Sequence, residues 1–190
     1  MHSVYQQRLD RVRENMKEQG LTQILVSSTE SVFYLTGLWI VPMGRQLALY
    51  LHEDGQCVLF GNDLFGITSV EGWELKLHND ADDPVADIAA VVRPGVLGID
   101  KVWPSRFLIS LMEKRNDIRP AVGSAPVDDA RKQKDEAEAK AMREASAVND
   151  RVMEQVIREL REGVTETEMA ARVEALFREN GAERSDEGQL

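Results

Sequence analysis

The sequence contains a single cysteine among its 190 residues. Cys57 therefore cannot form a disulfide within the chain, and the apolar run from Cys57 to Phe60 predicts an inert, buried thiol. No basic residue lies beside it in the sequence to lower its pKa, so a nucleophile is not expected there. Because stable disulfides mark oxidising compartments, the lone thiol favours a reducing one, and we expect a cytoplasmic protein.

Long apolar runs and an excess of basic residues are also missing. No stretch approaches the roughly 20 consecutive apolar residues of a membrane span, and the opening MHSVYQQR lacks the apolar core of a signal peptide. The chain has 23 Lys and Arg against 33 Asp and Glu, a formal net charge of −10. Neither nucleic acid nor an anionic membrane surface is therefore an expected partner.

The common catalytic signatures are absent as well. There is no glycine-rich phosphate loop, His-Glu-x-x-His, Cys-x-x-Cys or Gly-x-Ser-x-Gly. His52 and His78 stand at the ends of predicted strands, where we expect surface residues, and their spacing offers no zinc site. The acidic run from Asp80 to Asp83 lacks the glycine and distal glutamate of a calcium-binding loop, so we expect a solvated helix cap.

What the sequence does contain is a regular succession of short helices and strands. Apolar spacing, capping residues and glycines predict helices at 4–19, 32–35, 83–92 and 104–115, and strands at 21–27, 46–51, 56–60, 73–77, 95–99 and 118–122. The pair Asp54-Gly55 predicts a hairpin between the second and third strands. The order α-β-α-β-β-β-α-β-α-β predicts an α/β domain, a mixed sheet flanked by helices.

The composition changes after residue 130. The apolar residues spread along 135–161 predict one long helix. Thr165 and Glu168, three residues apart, predict a capping box at the start of a second helix that runs to Asn180. Two helices alone make a poor core. We therefore predict a complete domain at 1–130 and, at 131–190, the start of a second domain whose sheet is missing.

One loop, Gly37 to Arg45, carries residues typical of a binding site. Its sequence GLWIVPMGR places Trp39 and Arg45 between a helix and a strand. Surface loops with large apolar groups often bind ligands, and the planar guanidinium of arginine suits a carboxylate. The alternative is structural, with Trp39 packed on the sheet and Arg45 capping a strand edge. Trp39 and Arg45 are thus the predicted substrate-binding residues, and no catalytic residue or metal ligand is predicted.

Several segments resemble the creatinase/prolidase family. Residues 8–26 are similar to the helix and strand that open its amino-terminal α/β domain, and VFYLTG at 32–37 is similar to a motif of that domain, with Ser31 where many members have asparagine. Blocks at 134–145, 163–171 and 181–183 are similar to the two helices that open its pita-bread α+β catalytic domain. The resemblance implies the same fold, with the catalytic domain incomplete.

The resemblance also implies where the metals of such an enzyme lie. The family's catalytic domain binds two divalent ions (Mn, Co or Zn) through two Asp, one His and two Glu, all beyond the Gly-Ala-Glu block at 181–183. This fragment would then hold no cofactor and be inactive alone. Members that continue have a Ser-Phe pair soon after that block, whereas Ser185 is followed here by Asp186, which leaves the subfamily open.

The implied activity is hydrolysis of Xaa-Pro peptides by a dipeptidase or aminopeptidase P-like homodimer. In creatinase-like members a Gly-Arg step of one subunit reaches the partner's active site, at the position of Gly44-Arg45 here. Arg45 would then contact a substrate carboxylate or carbonyl across the dimer interface, and the domain would help to close the substrate site. A creatinase-like amidinohydrolase and a non-catalytic binding or dimerisation module are the alternatives.

Overall fold

The chain divides into two compact units, Met1–Gln133 and Lys134–Leu190. The structure, a computed structural model, describes residues 3–182. The helices of the first unit are α1 (Val4–Glu18), α2 (Thr29–Thr36), α3 (Ala86–Val91), α4 (Ser105–Lys114) and α5 (Ala125–Lys132). Its strands are β1 (Gln23–Val26), β2 (Ala48–His52), β3 (Cys57–Asn62), β4 (Glu74–His78), β5 (Gly95–Ile99) and β6 (Ile118–Val122). The second unit contains α6 (Glu136–Glu159) and α7 (Glu166–Glu179).

The six strands form one mixed sheet in the order β4-β3-β2-β1-β5-β6. β2 runs antiparallel to both of its neighbours, β1 and β3, whereas β4 is parallel to β3, and β1, β5 and β6 are parallel to one another. The predicted hairpin is confirmed, with Leu51 opposite Cys57 across the turn. The predicted α/β class, a mixed sheet flanked by helices, is confirmed as well.

Apolar layers cover both faces of the sheet, because alternate strand residues point to opposite sides. Leu9, Val12 and Met16 of α1 pack on the face that carries Ile24 and Leu49. On the opposite face, helices α3 and α4 cover the strand residues Leu25, Tyr50, Val58 and Phe60. The central strands β1, β2 and β3 are therefore buried along their whole length.

The segment from β1 to β2 shows how local sequence fixes the path of the chain. The Ser28 hydroxyl accepts from the backbone N–H of Ser31 and caps the start of α2, as predicted. Gly37 ends α2 in the left-handed conformation, with φ 76°. A Cβ at Gly37 would displace the hydroxyl end of the Tyr5 side chain, and the positive φ is what requires glycine there.

Two expectations in the first unit need correction. Helix α5 was not predicted, because only three of its eight residues, Pro126, Val127 and Ala130, are buried, too few to show a helical apolar period. Helix α3 begins at Ala86 rather than at Asp83, since the Asp83 carboxylate accepts from the N–H of Val85 and holds a turn before the helix. A helix of six to eight residues has about two turns, which is too few for the spacing of its apolar residues to predict it.

In the second unit, both helices begin with a capping box. Asp135 and Glu138 form the box of α6, and the predicted box of Thr165 and Glu168 is confirmed for α7. A small core joins the two helices through Val152, Val156 and Leu176. Other large apolar side chains of this unit are exposed, namely Met142, Met153, Ile157 and Leu160. Among residues 3–182 no helix is both long and apolar enough to cross a bilayer.

Candidate functional site: the Arg45 loop

Strand directions bring three distant chain segments to one edge of the sheet. β3 and β4 are parallel, so their carboxyl ends lie side by side, and Asn62 pairs with His78 there. β2 is antiparallel to β3, so it begins at this same edge. Arg45, which precedes β2, Asn62, which ends β3, and Asp80, which follows β4, therefore meet.

Arg45 forms a two-pronged ion pair with Asp80. Its Nε donates to Oδ1 of Asp80 at 2.9 Å and its Nη2 donates to Oδ2 at 2.8 Å. The buried Asn62 side chain also donates to Oδ1 of Asp80, at 2.8 Å. The hydrogen bonds from Arg45 lower the pKa of Asp80, and the same pairing raises the pKa of Arg45. Both groups are therefore charged at neutral pH.

The acidic run from Asp80 to Asp83 consequently differs from the solvated helix cap predicted for it. Asp80 is the partner of a cation distant in the sequence, and only Asp83 lies beside the start of a helix. The expectation failed because a strand pairing, invisible in the local sequence, places Asp80 beside Arg45.

Arg45 is presented by a tight turn from Pro42 to Arg45. The N–H of Arg45 donates to the carbonyl of Pro42 at 2.8 Å. Met43 (φ 47°) and Gly44 (φ 83°) are both in the left-handed region, as in a type I′ turn. Left-handed geometry is uncommon and strained for a non-glycine residue, and such strain concentrates at functional sites. Met43 is 76% exposed at the tip of this turn.

Trp39 lies on the same loop and is 54% exposed. Its ring contacts Phe33 of α2 edge to face, with 5.7 Å between centroids. Val41 is exposed too. The loop thus presents several apolar side chains next to a cation, a combination suited to a protein or peptide contact. The binding roles of Trp39 and Arg45 stay predictions.

A cleft of about 300 Å³ opens beside Arg45. Its walls come from the start of α2, the Arg45 loop and the segment that follows β5. The residues that line it are Ser27, Ser28, Thr29, Glu30, Pro42, Gly44, Arg45, Leu47, Val102 and Pro104. The wall at the start of α2 is fixed by Asp100, a buried carboxylate that accepts from the N–H groups of Ser27 and Ser28 at 2.8 and 3.0 Å.

Sequence reasoning missed Asn62, Asp80 and Asp100 as residues that shape this site. Asn62 ends β3 and Asp100 directly follows β5. Polar residues at strand ends are a usable signal, because such ends meet at one edge of a parallel sheet. No feature of the local sequence distinguishes Asp80 from Asp82 and Asp83.

The expectation that His52 lies at the surface is wrong. His52 is only 7% exposed, because β2 is a central strand covered on both faces. Its Nδ1 lies 2.9 Å from Oδ1 of Asp54. His78, by contrast, is half-buried.

The predicted burial of Cys57 is confirmed, but a basic group does lie beside it. Arg13 of α1 donates from Nη2 to the sulfur at 3.0 Å. Burial raises the pKa of the Cys57 thiol, and the opposing effect of Arg13 is smaller. The thiol is therefore protonated at neutral pH.

Metal-binding side chains are dispersed in the described part of the chain. Residues 3–182 bring together no group of three or more His, Cys, Asp or Glu side chains that could share a metal ion. A two-metal centre of the kind found in metallopeptidases needs several such ligands, so the described residues do not fit one.

Comparisons with known proteins match both units. The family model of the creatinase/prolidase N-terminal domain matches residues 8–133, and that of metallopeptidase family M24 matches residues 140–188. YkvY of Bacillus subtilis (strain 168), named as a candidate dipeptidase, is 26% identical over 185 residues, 92% of this chain and 50% of that protein. The Xaa-Pro dipeptidase of Pyrococcus horikoshii is 24% identical over 95% of this chain and 50% of its own length.

Solved structures show the same fold. A dipeptidase from Pyrococcus horikoshii OT3 superposes with a TM-score of 0.80 at 24% identity, over 90% of this chain and 49% of that one. The chain spans about half the length of the relatives it matches. The model of the creatinase/prolidase N-terminal domain covers more than half of this chain, so the chain belongs to the creatinase/prolidase family, and it resembles the amino-terminal part of Xaa-Pro dipeptidases.

Proposed function

We propose that this chain is the amino-terminal part of a metal-dependent hydrolase of Xaa-Pro peptides, a dipeptidase or aminopeptidase P-like enzyme. The observation that carries the proposal is the order of two matched domains, with the N-terminal domain at 8–133 followed by the M24 match at 140–188. An Xaa-Pro dipeptidase is among the relatives matched over nearly the whole chain. Residues 1–130 would then be one domain, and 131–190 the truncated start of the catalytic domain.

In such an enzyme, two divalent ions (Mn, Co or Zn) would supply an activated water and Lewis acidity. Residues that follow this chain would hold them, because residues 3–182 bring no ligand set together. We accordingly propose that the fragment is inactive alone. Its contributions would be homodimer formation and closure of the substrate site.

Arg45 is the residue of this chain that we propose to contact substrate, in the active site of the partner subunit. Its guanidinium is partly exposed, and within residues 3–182 its Nη1 group makes no hydrogen bond. A carboxylate or carbonyl oxygen is the group that such a donor edge binds best. Trp39 would supply apolar contact from the same loop.

The test is hydrolysis of an Xaa-Pro dipeptide by the protein extended through its M24 domain, with Mn²⁺ present. We expect turnover by the extended protein, and Arg45→Ala should lower kcat/KM by about 10- to 100-fold through loss of a charged hydrogen bond. Arg119→Ala is the matched control, since Arg119 is exposed on β6 and should leave kcat/KM unchanged.

Two outcomes separate the alternatives. Turnover of creatine but not of Xaa-Pro dipeptides identifies the extended protein as an amidinohydrolase. Dimer formation without hydrolysis of either substrate identifies a non-catalytic module, and both results overturn the proposed peptidase.

A further inference from the structure

Asp80 pairs with one edge of the Arg45 guanidinium and also accepts a hydrogen bond from the side chain of Asn62. We propose that Asp80, fixed by Asn62, is the positioning residue of Arg45: it orients the guanidinium so that the Nη1 side is available to a carboxylate or carbonyl of the ligand. The inference rests on the proposed function in one respect only, namely that Arg45 contacts a ligand.

The first support is the anchoring of Asn62. Its side chain is 1% exposed at the end of β3. Oδ1 accepts from the N–H of Leu64 at 3.0 Å, while Nδ2 donates to Asp80 at 2.8 Å. Because both ends of the buried amide are bonded, it cannot rotate without losing a hydrogen bond. Asn62 is therefore a fixed donor toward Asp80.

The second support is the geometry of the ion pair. Nε and Nη2 of Arg45 lie on one edge of the planar guanidinium, and each donates to a different oxygen of Asp80. Two parallel hydrogen bonds set the orientation of the plane, which a single contact would not do. With that edge engaged, the Nη1 side is the part of the group left for a ligand.

The third support is that the turn carrying Arg45 is held independently of Asp80. Arg106 of α4 donates to the carbonyl of Gly44, and the N–H of Arg45 donates to the carbonyl of Pro42. The Arg106 guanidinium also lies over the Phe107 ring, 4.5 Å from its centroid. Loss of the Asp80 carboxylate should therefore free the guanidinium while the backbone of the turn stays in place. That separation distinguishes a positioning role from a purely structural one.

The experiment is ¹H–¹⁵N spectroscopy of the 190-residue chain labelled on arginine, with the Nε–Hε signal of Arg45 assigned by its loss in Arg45→Lys. In the unsubstituted chain we expect a resolved signal with slow exchange against water. Asp80→Asn should raise that exchange rate at least about tenfold, because the charged hydrogen bond is lost. Asp80→Glu, which keeps the charge, should restore part of the protection.

Glu74→Gln is the matched control. The Glu74 side chain is as exposed as that of Asp80 and pairs with Lys76 of the same strand, β4, so its loss should leave the Arg45 signal unchanged. Asn62→Ala should give an exchange rate between those of the unsubstituted chain and Asp80→Asn. Backbone amide spectra of each variant report whether the sheet is intact.

An Arg45 signal that is averaged in the unsubstituted chain, or that Asp80→Asn leaves protected, overturns the inference. Unfolding of the sheet in both Asp80→Asn and Asp80→Glu overturns it too, since Asp80 would then be a structural residue. None of these readouts involves hydrolysis. An inactive extended protein with an ordered Arg45 would therefore reject the proposed function and leave the positioning role intact.

Discussion

At the scale of single residues, the sequence predicted which loop is exposed but not which polar side chains are buried or paired. The loop from Gly37 to Arg45 could be predicted as a surface segment because its composition is unusual, and Trp39 and Met43 are indeed exposed. The burial of His52 could not, because it depends on which strands flank β2. The pairing of Asp80 with Arg45 likewise depends on strand direction. Local sequence therefore predicts the exposure of a loop, but neither burial nor pairing that depends on which strands are neighbours.

Asp100 offers a test of one buried group. Its carboxylate accepts from the N–H groups of Ser27 and Ser28 and from the Ser124 hydroxyl, which lies 3.1 Å away. Asp100→Ala would leave these buried donors unsatisfied, so we expect the free energy of unfolding to fall by about 3 kcal/mol. Urea denaturation followed by circular dichroism measures it. The exposed Asp63→Ala is the control, and equal effects of the two substitutions would contradict the assigned role of Asp100.

Cys57 offers a second test at this scale. Because burial raises the pKa of its thiol, little thiolate is present at pH 8 in the folded chain. We expect iodoacetamide to modify Cys57 at least about 100-fold more slowly in the folded chain than in guanidinium chloride, as for other buried, inert thiols. Mass spectrometry of timed samples gives both rates. Rapid modification of the folded chain would contradict this, because it would mean that Arg13 lowers the pKa of the thiol by more than burial raises it.

At the scale of elements, strands with clear turn signals were predictable and short amphipathic pieces were not. β5 and β6 match their predicted bounds, and the hairpin of β2 and β3 follows from Asp54-Gly55. α5 escaped prediction because its burial comes from α1, a helix distant in the sequence, whose Asn15 side chain donates to the carbonyl of Pro126 in α5 at 2.8 Å. Tertiary packing, rather than propensity, stabilises such an element.

The contact between Gly98 of β5 and Gly123, just after β6, tests strand packing. A Cβ at Gly123 would overlap the Cα of Gly98, which is backbone and cannot move aside. We expect Gly123→Ala to lower the free energy of unfolding by about 2 kcal/mol or more. Gly61→Ala is the matched control, because a Cβ there meets only side-chain atoms such as Cδ2 of Phe65, at 3.3 Å. A larger loss for Gly61→Ala would contradict this packing account.

At the scale of the whole molecule, the two units differ in how completely each buries its apolar residues. The first unit has a sheet covered on both faces, whereas α6 and α7 share a small core and leave Ile157 68% and Leu160 64% exposed. Exposed apolar area of this kind is expected of helices that pack against further structure. We propose that in a protein extended through its M24 domain the sheet of that domain would cover these side chains.

We propose that residues 3–182 contribute no ligand to a metal centre and that the M24 domain of an extended protein would supply the whole ligand set. The measurement is isothermal titration calorimetry of Mn²⁺ into the 190-residue chain and into the protein extended through its M24 domain. We expect two Mn²⁺ ions per extended chain and no stoichiometric binding to the 190-residue chain. Stoichiometric binding to the 190-residue chain, or none to the extended protein, would contradict it.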